Sequence, residues 1–199
     1  NNPWHHTVRH GIYLALAICM GAVAYRVPVE VWQKTSGLWL LLALALLMLV
    51  LVPGVGRNVN GSQRWLPLGP LTVQPSEVVK FALVIYMSSF LVRHAEAVQR
   101  QWQGMAKPVA ILGVTGLLLL MEPDFGATVI CTGTVFGMLF LGGARLSYVL
   151  LLVCTAIGAL VVMIVSAPYR LQRLNDYTAP WQDPFGSGFQ LIQSLIAYG

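Results

Sequence analysis

Charged residues are scarce in this sequence. Of its 199 residues, 12 are Lys or Arg and 7 are Asp or Glu, together 10%, while 57% are hydrophobic. Soluble domains carry about a quarter charged residues, so the composition excludes an ordinary soluble domain and predicts an integral membrane protein. The net charge of +5 favours anionic headgroups or phosphate ligands over nucleic acid, since no basic run interleaved with aromatic residues occurs.

Metal-binding motifs and common catalytic motifs are also lacking. The three cysteines lie in apolar runs and have neither metal-ligand spacing nor a disulfide pattern, so they are predicted to act as small hydrophobic residues. The sequence contains no G-x-S-x-G, no phosphate-binding glycine loop and no H-E-x-x-H. Any chemistry must therefore rest on the few acids and bases.

Long apolar runs are what the sequence has in abundance. A membrane-spanning helix needs about 20 mostly apolar residues, and the sequence predicts an all-α, polytopic transmembrane bundle with six spans. The spans are predicted near 11–25, 38–52, 75–92, 108–121, 125–141 and 146–167. Pro123 separates the fourth and fifth spans with almost no loop, so these two are expected to form a tight hairpin.

The basic residues between spans give an expected orientation. One set contains six Lys or Arg residues and the other five, and cytoplasmic loops carry the excess. The larger set comprises Arg26, Lys34, Arg93, Arg100, Lys107 and Arg145. Segments 53–74 and 168–199 are then expected to face outward, and function is expected on that side.

The stretch QPSEVVK, residues 74–80, places two opposite charges at the start of the third span. Gln74 or Ser76 can cap this helix, and Glu77 in its first turn lies three residues before Lys80, close enough for an ion pair. One interpretation is a capped helix start whose charges reach the interface. The other is a polar cavity between helices, which we favour because a charge within a span costs about 2.5–3.5 kcal/mol.

The EPDFG stretch of the predicted hairpin contains two carboxylates, Glu122 and Asp124. Two acids so close together can serve acid/base chemistry or hold a divalent cation. They can equally belong to a simple turn in which Asp124 caps the fifth span. One acid that caps and one that faces a cavity would satisfy both interpretations.

Two further regions supply cations and polar side chains. Arg64 beside Trp65 can clamp a lipid phosphate or stay solvated, and Arg170 and Arg173 form a local cationic face. From residue 189 to 198 apolar residues alternate with a few polar ones, which predicts a helix along a surface or lining a groove. Its polar members are Gln190, Gln193 and Ser194.

Five separated motifs resemble one protein family. They are GSQRW, QPSEVVK, EPDFGAT, PYRLQRL and the segment PWQDPFGSGFQLIQSLIA. Their order and spacing are similar to the SEDS family (shape, elongation, division and sporulation) of bacterial membrane glycosyltransferases, over nearly the whole sequence. Leu195 stands at a position where members of the elongation branch often carry Lys, so the resemblance is greater to the division branch. The resemblance implies ten helices in a whole member, of which this sequence would supply the second to seventh and most of a large outer loop.

The resemblance also implies a function in the bacterial cytoplasmic membrane at the division septum. Family members join lipid II, an undecaprenyl-diphosphate-linked disaccharide peptide, into glycan strands. They act with a class B penicillin-binding protein transpeptidase and other division proteins, among membrane lipids. The main alternative is a flippase or transporter of lipid II, and a third is a scaffold that recruits partners.

The resemblance assigns expected roles to the charged residues. Glu77, Lys80, Glu122 and Asp124 match a polar cavity, while Arg64, Arg170 and Arg173 match partners of the leaving diphosphate. The outer-loop motif comprises Asp183, Gln190, Gln193 and Ser194. The family's base lies in a His-Thr-Asp-Phe stretch that is expected beyond Gly199, so residues 1–199 alone are expected to contain no catalytic base and to be inactive. No cofactor is implied, and a divalent cation stays open.

Overall fold

The computed structural model describes residues 4–59, 62–69, 71–165 and 189–198, in two compact units that divide after residue 145. The first unit contains six of the described helices: α1 (Trp4–Arg26), α2 (Val29–Leu51), α3 (Pro75–Arg93), α4 (Ala95–Arg100), α5 (Gln103–Met121) and α6 (Phe125–Leu141). The second unit contains α7 (Leu146–Val165) and α8 (Phe189–Tyr198). The predicted polytopic helical fold is confirmed.

Four described helices are long and apolar enough to cross a membrane, namely Val29–Leu51, Pro75–Arg93, Gln103–Met121 and Leu146–Met163. Two shorter apolar helices, His10–Arg26 and Phe125–Leu141, correspond to the other two predicted spans. The core of the first unit forms where α2 packs on α3 and α6 packs on both α3 and α5. Its large, fully buried residues are Leu47, Leu83, Met87, Leu119 and Leu139.

Three helices begin earlier than the predicted spans, and the first of them, α1, begins at Trp4 instead of residue 11. Helix α2 begins at Val29, nine residues before the apolar run, because its polar first turns find partners: Ser36 is buried, and the Gln33 carbonyl accepts a 3.1 Å bond from Ser89 Oγ. Helix α5 continues through Pro108 from Gln103. A prediction from hydropathy assigns the polar residues at a helix start to a loop. In this structure they belong to the helices of the bundle.

A small antiparallel sheet lies between α2 and α3, which the sequence analysis did not predict. Its strands, in the order β1-β2-β3, are Arg57–Val59, Ser62–Leu68 and Leu71–Val73. The Asn60–Gly61 dipeptide between β1 and β2 is a strong sequence signal for a hairpin turn. The Gln63 amide holds β2 to the end of α2 by donating to the carbonyls of Val52 and Gly56 at 3.1 and 3.0 Å.

The first unit has two distinguishable ends. The sheet side carries the three strands and residues 122–124, which connect α5 to α6. The loop side carries α4 and residues 142–145, and Gln99 there donates to the carbonyl of Gly142 at 3.3 Å. The predicted tight hairpin of the fourth and fifth spans is confirmed, since three residues join α5 to α6.

Candidate functional site at the sheet side

Asp124 holds together the connector between α5 and α6. Its Oδ1 accepts a 3.2 Å bond from the backbone N–H of Ala127, which makes Asp124 the N-cap of α6. Its Oδ2 accepts a 3.2 Å bond from the side-chain amide of Gln74. The predicted cap is therefore confirmed, and the same carboxylate ties the start of α3 to the start of α6.

The start of α3 differs from its prediction. Gln74 occupies the N-cap position without a side-chain capping bond, and Ser76 Oγ is buried with no hydrogen-bond partner among the described residues. The prediction that Gln74 or Ser76 caps this helix is wrong. Pro75 at the first helical position lacks an N–H that would need a cap and has its φ preset for a helix. The Gln74 amide bonds Asp124 instead.

Arg64 joins the sheet to the same connector. Its Nε donates to the backbone carbonyl of Glu122 at 3.0 Å, and its Nη2 donates to the carbonyl of Pro123. A guanidinium has five N–H donors, so three remain beyond these two bonds. The structure thus gives Arg64 a bracing contact that the sequence did not predict, and its expected role toward a diphosphate stays a prediction.

Glu122 is the most unusual side chain of this end. It is 0% exposed, and neither carboxylate oxygen has a hydrogen-bond partner among the described residues. Burial and, to a smaller extent, the negative charge of Asp124 raise the pKa of Glu122 to about 8, and the positive charge of Arg64 opposes this shift. At neutral pH the group is therefore mostly a neutral acid. Strongly shifted acids in clefts are typical of functional sites.

Glu77 and Lys80 form the predicted ion pair, with Lys80 Nζ 2.6 Å from Glu77 Oε1. The side chain of Glu77 is 61% exposed and that of Lys80 is 26% exposed. The pair is therefore a partly exposed contact within the first two turns of α3.

We call the six residues Arg64, Gln74, Glu77, Lys80, Glu122 and Asp124 the sheet-side cluster. Hydrogen bonds join Arg64 and Gln74 to the connector of residues 122–124, in which Asp124 caps α6, and the hydrated cavity that the predicted residues were expected to line stays a prediction. The described residues include no group of three or more His, Cys, Asp or Glu side chains that could hold a metal ion. The open question of a divalent cation is unchanged by this observation.

The remaining predicted site residues belong to the second unit. Arg170, Arg173 and Asp183 lie outside the described residues, as does the side chain of Gln190. In α8, which matches the predicted helix, Gln193 is exposed and Ser194 Oγ donates to the carbonyl of Leu191 at 2.8 Å. The expected roles of these residues stay predictions.

Comparison with known sequences gives one consistent result. The family described as "Cell cycle protein", whose model covers FtsW, RodA and SpoVE, matches residues 1–199. The chain is 50% identical over 199 residues to the probable peptidoglycan glycosyltransferase FtsW of Allochromatium vinosum, covering 100% of the chain and 50% of that relative. The chain is also 47% identical over 197 residues to the probable peptidoglycan glycosyltransferase FtsW of Coxiella burnetii, covering 99% of the chain and 53% of that relative.

Solved structures agree with the sequence relatives. A chain from a peptidoglycan synthase complex, solved to explain how polymerization and crosslinking are coordinated, matches with TM-score 0.76 and 31% identity over 96% of this chain and 56% of that chain. The rod shape determining protein RodA of Thermus thermophilus matches with TM-score 0.65 and 26% identity, over 79% of this chain and 50% of that protein. The chain spans about half the length of the relatives it matches. It belongs to the cell cycle protein family of FtsW, RodA and SpoVE, which is the SEDS family.

Proposed function

We propose that this chain acts as part of a peptidoglycan glycosyltransferase that polymerises lipid II during septal cell-wall synthesis. The observation that carries the proposal is the sheet-side cluster, in which Arg64 and Gln74 brace a connector that contains Glu122, a buried acid with no hydrogen-bond partner in the described part of the chain. The names of the FtsW relatives support the activity. The sheet side then faces outward, because the six basic residues predicted to be cytoplasmic belong to the opposite end.

The reaction requires a hydroxyl of one lipid II to attack the anomeric carbon of a growing strand. A glycosidic C–O bond forms, the C–O bond to undecaprenyl diphosphate breaks, and the hydroxyl proton passes to a base. We assign the base to a residue outside 1–199. Cations near the leaving diphosphate stabilise the charge that develops on it, and Lys80 and Arg64 are the cluster's two cations.

The neutral state of Glu122 suits an anionic substrate. A charged carboxylate beside Asp124 would repel a diphosphate, whereas a protonated acid adds no negative charge and can donate a hydrogen bond. Asp124 is already engaged by Gln74 and by the cap of α6, so its charge is partly compensated. With Glu122 neutral, the cations Arg64 and Lys80 are balanced by Asp124 and Glu77, and no third negative charge is added.

We further propose that the whole protein acts beside a class B penicillin-binding protein transpeptidase and other division proteins. The complex that contains the structural relative coordinates polymerization with crosslinking, which supports a transpeptidase partner. The bacterial cytoplasmic membrane follows from the apolar helices and from the nature of the lipid-linked substrate.

The test is polymerisation of lipid II by the full-length protein with its transpeptidase partner, reconstituted in vesicles. Lys80→Ala removes a cluster cation, and we expect at least a tenfold loss of glycan strands. Lys107→Ala removes the same charge from the loop side, and we expect it to retain activity. Equal activity of the Lys80→Ala variant and the unaltered protein would refute the assigned role.

The flippase alternative is separated in the same vesicles. A transporter moves labelled lipid II between leaflets without forming strands, whereas a polymerase forms strands from lipid II that is already in the outer leaflet. Translocation without polymerisation would replace the proposed function with transport.

A further inference from the structure

Two adjoining pockets at the loop side are not part of the sheet-side cluster. The first is a basic pocket of about 540 Å³ whose polar lining comprises Arg93, His94, Glu96, Arg100 and Gln101. The second is an apolar groove of about 380 Å³ between α2 and α3, lined by Trp32, Phe81, Val84, Ile85 and Ser88 among others. Val92 lines both, so the two pockets meet at this residue.

The basic pocket has an excess of positive charge. Arg93 is held at the junction, the place where the two pockets meet, because its Nε donates to the carbonyl of Ser89 at 3.1 Å. Ser89 also lines the apolar groove. Within the described part of the chain, no carboxylate forms an ion pair with Arg93 or Arg100. Glu96 is the single acid in the lining, so the two guanidinium groups outweigh it.

The surroundings of the junction mark a membrane boundary. Val92 is 72% exposed and faces the apolar groove, whereas Trp102, which is 63% exposed, follows the basic pocket along the chain. Exposed tryptophan is enriched where hydrocarbon meets headgroups. His94 is fixed beside this boundary because its ring stacks on Phe90 with centroids 4.5 Å apart.

We propose that this pair of pockets binds an anionic glycerophospholipid. Its phosphate lies between Arg93 and Arg100, and one acyl chain lies along the groove past Val92 and Ser88. Basic pockets between membrane helices suit such headgroups because guanidinium groups bind phosphate oxygens bidentately. A soluble phosphate would match the basic pocket but would leave the adjoining groove unexplained. The site is separate from the proposed function and does not depend on it.

The first experiment measures lipid binding to the full-length protein by native mass spectrometry in detergent. Phosphatidylglycerol is expected to bind in preference to phosphatidylcholine. Arg93→Gln combined with Arg100→Gln should weaken phosphatidylglycerol binding about 30-fold, because each basic residue contributes roughly 1 kcal/mol at a membrane surface and about 1.4 kcal/mol is tenfold. The matched control, Arg26→Gln with Lys34→Gln, removes two charges from the same side and should bind normally.

A second variant tests the groove and the alternative ligand. Ser88→Trp fills the groove without changing charge, so phosphatidylglycerol should bind at least fivefold more weakly while soluble glycerol phosphate is unaffected. Full binding of phosphatidylglycerol by this variant would overturn the lipid site in favour of a free phosphate site. Equal binding of both lipids, or equal losses in the two double variants, would also overturn it. Normal folding of each variant is checked by its thermal unfolding curve.

Discussion

Replacing Glu122 with Gln separates the burial of this side chain from its charge. Gln has nearly the same shape and is neutral at every pH, whereas burial raises the pKa of Glu122 from 4.5 to about 8. Below pH 4.5 the folded and unfolded states are both protonated. Between 4.5 and about 8 the unfolded chain loses its proton while the folded protein keeps it, so stability falls as the pH rises.

The size of the effect follows from the span of that window. Each pH unit corresponds to about 1.4 kcal/mol, so the full window corresponds to on the order of 5 kcal/mol, comparable to the whole stability of a small protein. One kcal/mol shifts a melting temperature by about 2–4 °C at 150–250 residues. The curated relatives are about twice as long as this chain, and the shift per kcal/mol falls with chain length, so the full-length protein should melt roughly 5 °C lower at pH 9 than at pH 5 from this group alone.

The assay is thermal unfolding of the full-length protein in detergent from pH 5 to pH 9, followed by intrinsic fluorescence. Glu122→Gln should match the unaltered protein at pH 5, melt higher at pH 9, and lose most of the pH dependence. Glu30→Gln alters an exposed carboxylate at the loop side, so this variant should keep the pH dependence of the unaltered protein. If the melting temperature of Glu122→Gln changed with pH in parallel with that of the unaltered protein, the reasoning would be refuted.

Two further predictions concern local structure at either end of the bundle. Asp124→Ala removes both the N-cap of α6 and the acceptor of the Gln74 amide, and should cost about 1–2 kcal/mol in chemical unfolding. Asp124→Asn changes the group that faces Gln74 but keeps the cap, because Asn caps equally well, so it should lose less. Equal losses would exclude capping as the cause. Gly104→Ala should destabilise the folded protein by about 1–3 kcal/mol, because the added Cβ would lie 2.3 Å from the carbonyl oxygen of Ala97. Gly113→Ala in the same helix is the control and should be tolerated, because its Cβ would meet nothing within 4 Å. Matching melting temperatures for the two glycine variants would contradict the close approach.

What the sequence predicts correctly is mostly local. The Glu77–Lys80 pair and the Asp124 cap involve residues three apart, and such spacing fixes distance along a helix. The α5–α6 hairpin follows from Pro123 between two apolar runs. These features need no knowledge of which helices pack together.

What the sequence does not predict depends on packing between distant segments. The Gln74–Asp124 bond joins residues 50 positions apart, and the Arg64–Glu122 bond joins residues 58 apart. Neither pairing has a periodic signal. The isolation of Glu122 is likewise a property of its surroundings, because a carboxylate beside a proline in a turn would ordinarily be solvated.

Photocross-linking of labelled lipid II to the full-length protein tests most directly that the sheet side receives the substrate. A photoreactive residue replaces Thr72 on β3 in one variant and Ala106 on the loop side in another. Our account predicts cross-links at position 72 that unlabelled lipid II competes away, and none at position 106. Equal labelling at both positions, or labelling at 106 alone, would contradict it.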